Sequence, residues 1–183
     1  MIKDQYYGGF MNNQLEIRRA EKEDLPRIME IIAMAAAYMK EHKIRQWNDG
    51  YPEKEDFLQD MTRKESYVCQ CGGRIAGTAA LCLREEPNYR KIYGGQWKTA
   101  GPYGVIHRIA VADDAKGQGV AAAFVDYIER LCIKNKIYSL RVDTHEDNWN
   151  MNHFLIKHGF VRCGKIFVED GTPRVAYEKE LER

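Results

Sequence analysis

The sequence has almost no net charge: 28 lysines and arginines stand against 27 acidic residues, a formal +1. A chain so balanced carries no basic footprint for nucleic acid, and no run of one sign marks a charged tail. Long hydrophobic runs are missing too. None approaches the ~20 apolar residues of a membrane span, and the N-terminus lacks a charged-then-apolar signal pattern. A soluble protein that stays in the cytoplasm, with no membrane partner, is expected. Cysteines are few and unpatterned, five at positions 69, 71, 82, 132 and 163, with no C-x-x-C pair and no matching histidine spacing. They read as reduced thiols, and no metal site is expected. Repeats and low-complexity segments are absent, and 183 residues suit one domain with a full core. Residues 1–13, rich in glycine, tyrosine and asparagine without a period, read as a flexible tail ahead of a single domain over 14–183.

What is present centres on Val105–Cys132. A β-branched run ends at Val111, a polar loop carries Gly117 and Gly119, and a helix follows whose apolar stripe is Val120, Phe124, Val125, Ile128, Leu131 and Cys132. A helix that opens on glycines leaves its first N–H groups unpaired and approachable, which makes an anion cradle. Three phosphate sites share this outline. The P-loop fails, because the Gly72–Gly77 frame is followed by Thr78 with no lysine. The dinucleotide fingerprint fits in letters as Gly117-x-Gly119-x-x-Ala122, with Asp143 as a later acid. Its context is wrong, since Asp113 and Asp114 would face the pyrophosphate and no second mononucleotide half follows.

The third outline fits best. Lys116-Gly117-Gln118-Gly119-Val120-Ala121 resembles the [QR]-x-x-G-x-[GA] acyl-CoA motif of the GNAT N-acetyltransferase superfamily, with lysine in place of the usual glutamine or arginine. Asn148-x-x-Met151-x-x-Phe154-Leu155-x-x-x-Gly159-Phe160 resembles that family's next segment, at the right distance after Leu140–Asp143. The resemblance runs from about Gln14 to the end and points to an uncharacterised bacterial subgroup.

The remaining elements read in order. Leu15–Arg19 is a strand, and Asp24-Leu25-Pro26 opens a helix with Leu25, Ile28, Met29, Ile32, Ala36 and Met39 as its buried stripe. A helix over about Glu53–Arg63 follows the turn from Trp47 to Pro52. Ser66–Cys71 and Arg74–Leu83 form a hairpin through Gly72-Gly73, and Phe160–Val168 with Arg174–Leu181 a second one. Tyr138–Asp143 is a strand, and Asp147 or Asn148 caps a helix that ends at Gly159 and buries Met151, Phe154 and Leu155. Glu85–Gly104 has no period but holds Tyr89, Tyr93, Trp97 and Tyr103, so it reads as a functional or mobile connection. The fold class is α/β, of mixed α+β kind. The GNAT resemblance implies a central mixed, mostly antiparallel sheet of about seven strands, about four helices and one central βαβ crossover.

By that resemblance the enzyme uses acetyl-CoA. Ile109, Ala110 and Val111 pair with the pantetheine arm, the 116–121 loop (Lys116, Gly117, Gln118, Gly119, Val120, Ala121) holds the pyrophosphate, and Asn148 contacts the cofactor, a role compatible with its plainer reading as a helix N-cap. The implied activity is transfer of the acetyl group to a primary amine of a small molecule or peptide, directly in a ternary complex. A non-catalytic acyl-CoA-binding or sensing module is the alternative. The expected catalytic base is His107, on the strand where many members carry a glutamate, since a neutral imidazole accepts a proton near neutral pH. A histidine satisfied inside the sheet is the plainer reading. Asp143-Thr144-His145-Glu146 is a second candidate cluster. Leu155 stands where the family has a tyrosine general acid, and it can donate nothing. Trp47, Asp49, Tyr51, Glu85, Glu86 and the aromatics of 89–103 are candidates for an acceptor pocket suited to a cation. The protein is read as a monomer or homodimer.

Overall fold

The computed structural model describes residues 15–47 and 50–182. The expected tail, and Asp49 of the expected pocket, lie outside the described residues. In chain order the elements are β1 (Leu15–Arg19), α1 (Leu25–Glu41), α2 (Lys54–Thr62), β2 (Ser66–Cys71), β3 (Arg74–Cys82), β4 (Gly104–Val111), α3 (Val120–Lys134), β5 (Ser139–Thr144), α4 (Trp149–Lys157), β6 (Val161–Phe167) and β7 (Pro173–Glu180). The strands form a seven-stranded sheet in the order β1-β2-β3-β4-β5-β7-β6. Every pair is antiparallel except β4 with β5, which α3 joins as a crossover. The mixed sheet with one βαβ unit at its centre is the architecture expected from the sequence.

The central parallel pair is short. Strand β4 meets β5 at Gly104 opposite Leu140 and Val105 opposite Arg141, while β5 remains paired to β7 as far as Thr144. From Ile106 onward the two central strands part. The edge of β4 that faces this gap has no strand partner among the described residues.

Helix α3 lies along the strands beside the gap and buries Val120, Phe124, Val125, Ile128 and Cys132, the stripe read from its period except for Leu131, which is half-buried at its edge. Burial of side chains of this kind contributes roughly 1.5–3 kcal/mol each, which fixes the N-terminus of α3 against the end of β4. In α1 the buried set is Leu25, Ile28, Ile31, Ile32 and Met39. Ile31 is buried in addition to the expected stripe, while Met29 and Ala36 of that stripe are only half-buried at its edges. At the start of α1, Arg18 of β1 grips the Asp24 carboxylate at 2.6 and 2.8 Å and so ties the strand to the helix.

The connection between β3 and β4 is packed, with a short 3-10 turn at Pro87–Tyr89 and a bridge from Tyr93 to Lys165 on β6. Tyr89, Ile92, Trp97 and Tyr103 join Cys82, Val105, Ile166 and Ala176 in a second hydrophobic cluster. The guanidinium of Arg141 lies 4.1 Å from the Trp97 ring centre and 3.9 Å from that of Tyr103. Behind it, fully buried Glu178 accepts from Lys98 N–H and from the Thr99 and Ser139 hydroxyls. A cation sandwiched by two rings has no sequence period, which is why this stretch reads as irregular.

Candidate active site

Strand β4 carries a bulge where the gap opens. Against β3, Ala80 pairs with His107 and Thr78 with Ala110, so Arg108 and Ile109 together oppose Ala79. Bulges of this kind bend a strand and re-aim its side chains. Arg108 has a φ of +52°, and its side chain reaches to α2 and binds the Asp60 carboxylate through Nε at 2.9 Å and Nη2 at 2.6 Å. Its Nη1 donates to the Tyr51 hydroxyl at 2.9 Å.

Beyond Val111 the chain turns through a 3-10 turn at Asp113–Ala115 and enters α3 by way of Gly117 and Gly119. Both glycines are left-handed, with φ of +77° and +83°, and a Cβ added to either meets no heavy atom within 4 Å. Gly119 is the N-cap and supplies no side-chain acceptor, so the first-turn N–H groups of α3 point into open space. Lys116 pairs with Asp113 at 2.6 Å and lies 5.2 Å from the Tyr38 ring centre. Gln118 donates to the Asp114 carbonyl at 2.8 Å. Among the described residues, no side chain beyond the adjoining residues comes within 4 Å of the Cβ position of either glycine.

On the other side of β4 lies a cleft of about 860 Å³, lined by residues of the α1–α2 connection, α2, β3, β4, the 84–89 segment, β5 and the β6–β7 turn. His107 Nε2 lies 2.8 Å from Glu86 Oε2 at its wall. The His107 hydrogen bond holds the Glu86 carboxyl below the usual glutamate range, although burial opposes this. Tyr89, edge-on to His107 with ring centres 6.3 Å apart, donates to Asp143 Oδ1 at 2.6 Å. Burial and the neighbouring Asp143 push its phenol well above the ordinary value. Arg174 Nε stands 3.8 Å from the other Asp143 oxygen. Gln46 Oε1 accepts from Thr144 Oγ1, from His145 N–H and from Asn148 Nδ2, at 2.9, 3.2 and 3.1 Å, and so stitches the α1–α2 connection to the start of α4. Cys82 also lines the cleft, and burial pushes its thiol up to about 11.

The structure gathers some of the expected site residues and scatters others. Trp47, Tyr51, Glu86, Tyr89, His107, Ile109 and Asn148 line the cleft. Ala110 and Val111 continue β4 toward the cradle formed by Lys116, Gly117, Gln118, Gly119, Val120 and Ala121. Asn148 is a working N-cap, its Oδ1 accepting from Met151 N–H at 3.3 Å. Glu85 does not line the cleft. It is exposed and paired with Arg90 at 2.8 Å, while its neighbour Glu86 turns inward. The 143–146 cluster is divided: Asp143 faces the cleft, Thr144 and His145 hold Gln46, and Glu146 pairs outside with Lys165 at 3.2 Å. Leu155 is fully buried. Asp60, Arg108, Gln46 and Arg174 are cleft residues that pattern reading missed. The one signal available for Arg108 was a charged residue in a strand otherwise rich in β-branched and apolar side chains.

Among the described residues, no helix is long and apolar enough to cross a membrane. Among curated proteins, none is significantly similar to this chain in sequence. Solved structures share its fold. An acetyltransferase of the GNAT family from Streptococcus agalactiae 2603 is 34% identical, with a TM-score of 0.83 over 92% of this chain and 96% of its own. The structure of yncA from Salmonella typhimurium, solved with its cofactor acetyl-CoA, is 15% identical, with a TM-score of 0.67 over 93% of this chain and 95% of its own. N-acetylglutamate synthase from Neisseria gonorrhoeae, complexed with coenzyme A and N-acetyl-glutamate, is 18% identical, with a TM-score of 0.63 over 93% of this chain and 36% of its own. The last two likenesses speak for the fold alone. A model of the acetyltransferase (GNAT) family matches residues 30–160, more than two thirds of the chain, and with a split β4–β5 pair leading into a glycine-opened helix, the chain belongs to the GNAT acetyltransferase family and is an acyltransferase.

Proposed function

We propose that the protein is a cytoplasmic N-acetyltransferase that passes the acetyl group of acetyl-CoA to a primary amine of a small molecule or peptide, directly within a ternary complex. The observation that carries this reading is the gap between β4 and β5, ending at a helix N-terminus whose two preceding glycines leave open space. An extended pantetheine arm fits an unpaired strand edge, and a pyrophosphate fits the open cradle. Five free cysteines agree with a reducing compartment.

Acetyl-CoA supplies an acetyl thioester. The residues Ile109, Ala110 and Val111 would hold the arm through their backbone, and an N–H of this stretch would face the thioester oxygen. The 116–121 loop would hold the pyrophosphate with backbone N–H groups and the Lys116 charge. His107 would take the proton from the incoming amine, directly or through one water. With Glu86 ionised, the proton of neutral His107 sits on Nε2, which leaves Nδ1 as the acceptor. Cys82 is a poor acyl carrier because its raised thiol pKa leaves little thiolate near neutrality, which favours direct transfer. No donor is needed at Leu155, since a thiol of pKa ~8.5 leaves without much help.

The test is calorimetric titration with acetyl-CoA, followed by a free-thiol release assay across polyamines, aminoglycosides, amino acids and N-terminal peptides. Micromolar binding with turnover on an amine is the expected result. Absence of acetyl-CoA binding would overturn the reading.

A further inference from the structure

Among the described residues, four that are not glycine have a positive φ: Lys43, Lys64, Arg108 and Lys136. The three lysines each stand one residue past the C-cap of α1, α2 or α3, where a left-handed residue ordinarily ends a helix. Arg108 is different, since it lies within strand β4 at the bulge, next to the gap. An arginine gains nothing locally from this conformation, so its surroundings must impose it.

What imposes it is distant in sequence. The Arg108 guanidinium is held by both oxygens of Asp60, with side-chain exposures of 13% and 3%, and by the Tyr51 hydroxyl. A buried ion pair is weak evidence for stability, because apolar packing of the same volume does as well or better. What it does supply is direction, as the planar guanidinium fork fixes both partners at once.

We infer that the Arg108–Asp60 pair is a positioning device, which holds residue 108 left-handed and thereby sets the direction of the Ile109–Val111 peptide groups toward the thioester. The inference rests on the acetyl-CoA reading above. Asp60 and Arg108 are positioning residues, since they act through the backbone. Tyr51 links the same device to the acceptor side of the cleft.

The test compares Arg108→Gly with Arg108→Ala. Both lose the guanidinium and leave Asp60 unpaired, so any direct contact is lost equally. They differ by one Cβ, and glycine adopts a positive φ freely where alanine does not. The expected order places the glycine variant ahead, with kcat at least about 10-fold higher than for alanine and a higher Tm, and with acetyl-CoA affinity the same in both within about threefold. Asp60→Asn should lower kcat in the wild-type background and have no further effect in Arg108→Gly, as coupled sites in a double-mutant cycle require. Equal kcat for the two Arg108 variants, alanine ahead of glycine, or additive losses with Asp60→Asn would overturn the inference. The Tm order is read without cofactor, so it stands apart from the acetyl-CoA reading, which the titration of wild-type protein tests.

Discussion

Replacing Gly119 with alanine should separate the cradle from the fold. The backbone there has a φ of +83°, and a Cβ meets nothing within 4 Å, so the protein itself offers no clash. The folding cost is that of a left-handed alanine, about 1–2 kcal/mol. In a chain of this size each kcal/mol lowers Tm by roughly 2–4 °C, so a fall of about 2–8 °C is expected. Cofactor binding should suffer more. The Cβ projects into the space beside the first-turn N–H groups of α3, and a lost hydrogen bond to a charged group costs about 1.5–3 kcal/mol, or roughly 10- to 150-fold in affinity. Gly94 supplies the control, because its φ is +66° and its added Cβ also meets nothing within 4 Å. Gly94→Ala should carry the same strain and leave coenzyme A affinity alone. The assays are thermal unfolding and calorimetric titration with coenzyme A. If Gly119→Ala binds coenzyme A within twofold of Gly94→Ala, the cradle is assigned to the wrong residues.

Other substitutions test the chemistry. His107→Gln should lower kcat by about 10²-fold, the usual contribution of a general base, with unchanged acetyl-CoA affinity. A kcat left unchanged by the substitution would exclude His107 as the base. Cys82→Ala should retain turnover and single-exponential thiol release, whereas loss of activity with normal cofactor binding would revive an acyl-enzyme route. The Asp24 carboxyl is held low by its hydrogen bond to Arg18, against the effect of burial, and Glu86 by its hydrogen bond to His107. A depressed folded value stabilises above the unfolded carboxylate pKa, about 4, and that share is lost as pH falls through the folded value. Tm should therefore slope gently below about 6.5, where His145, held low by burial, charges more readily in the unfolded chain, and fall more steeply below about 4. In Arg18→Met the acid fall should be shallower, and an identical slope would remove Asp24 from the acid response.

The parts of the site that were legible in the sequence are those built from neighbours. Gly117 and Gly119 stand before the Val120–Cys132 stripe, and each feature constrains residues only a few positions away, so the order of strand, glycine loop and helix could be read. The acceptor side is built from pairs that no local rule connects. Arg108 meets Asp60 from 48 residues away, and Gln46 meets Asn148 from 102. Neither partner is unusual within its own segment. The choice between Glu85 and Glu86 shows the same limit at the shortest range. Two adjacent carboxylates in a stretch without period are equivalent until Tyr89, Trp97 and Tyr103 close around Arg141. That packing sets the path of the chain from Leu83, and Glu86 then falls toward His107 while Glu85 falls toward Arg90. The direction of one carboxylate thus follows a cation–ring sandwich on β5, whose guanidinium Nε lies 3.4 Å from the Glu178 carboxylate of β7. It follows that substitutions at Arg141 or Glu178 should disturb the His107–Glu86 pair without touching it, while the coenzyme A affinity measured by titration, which on the proposed reading depends on none of these contacts, should be unchanged.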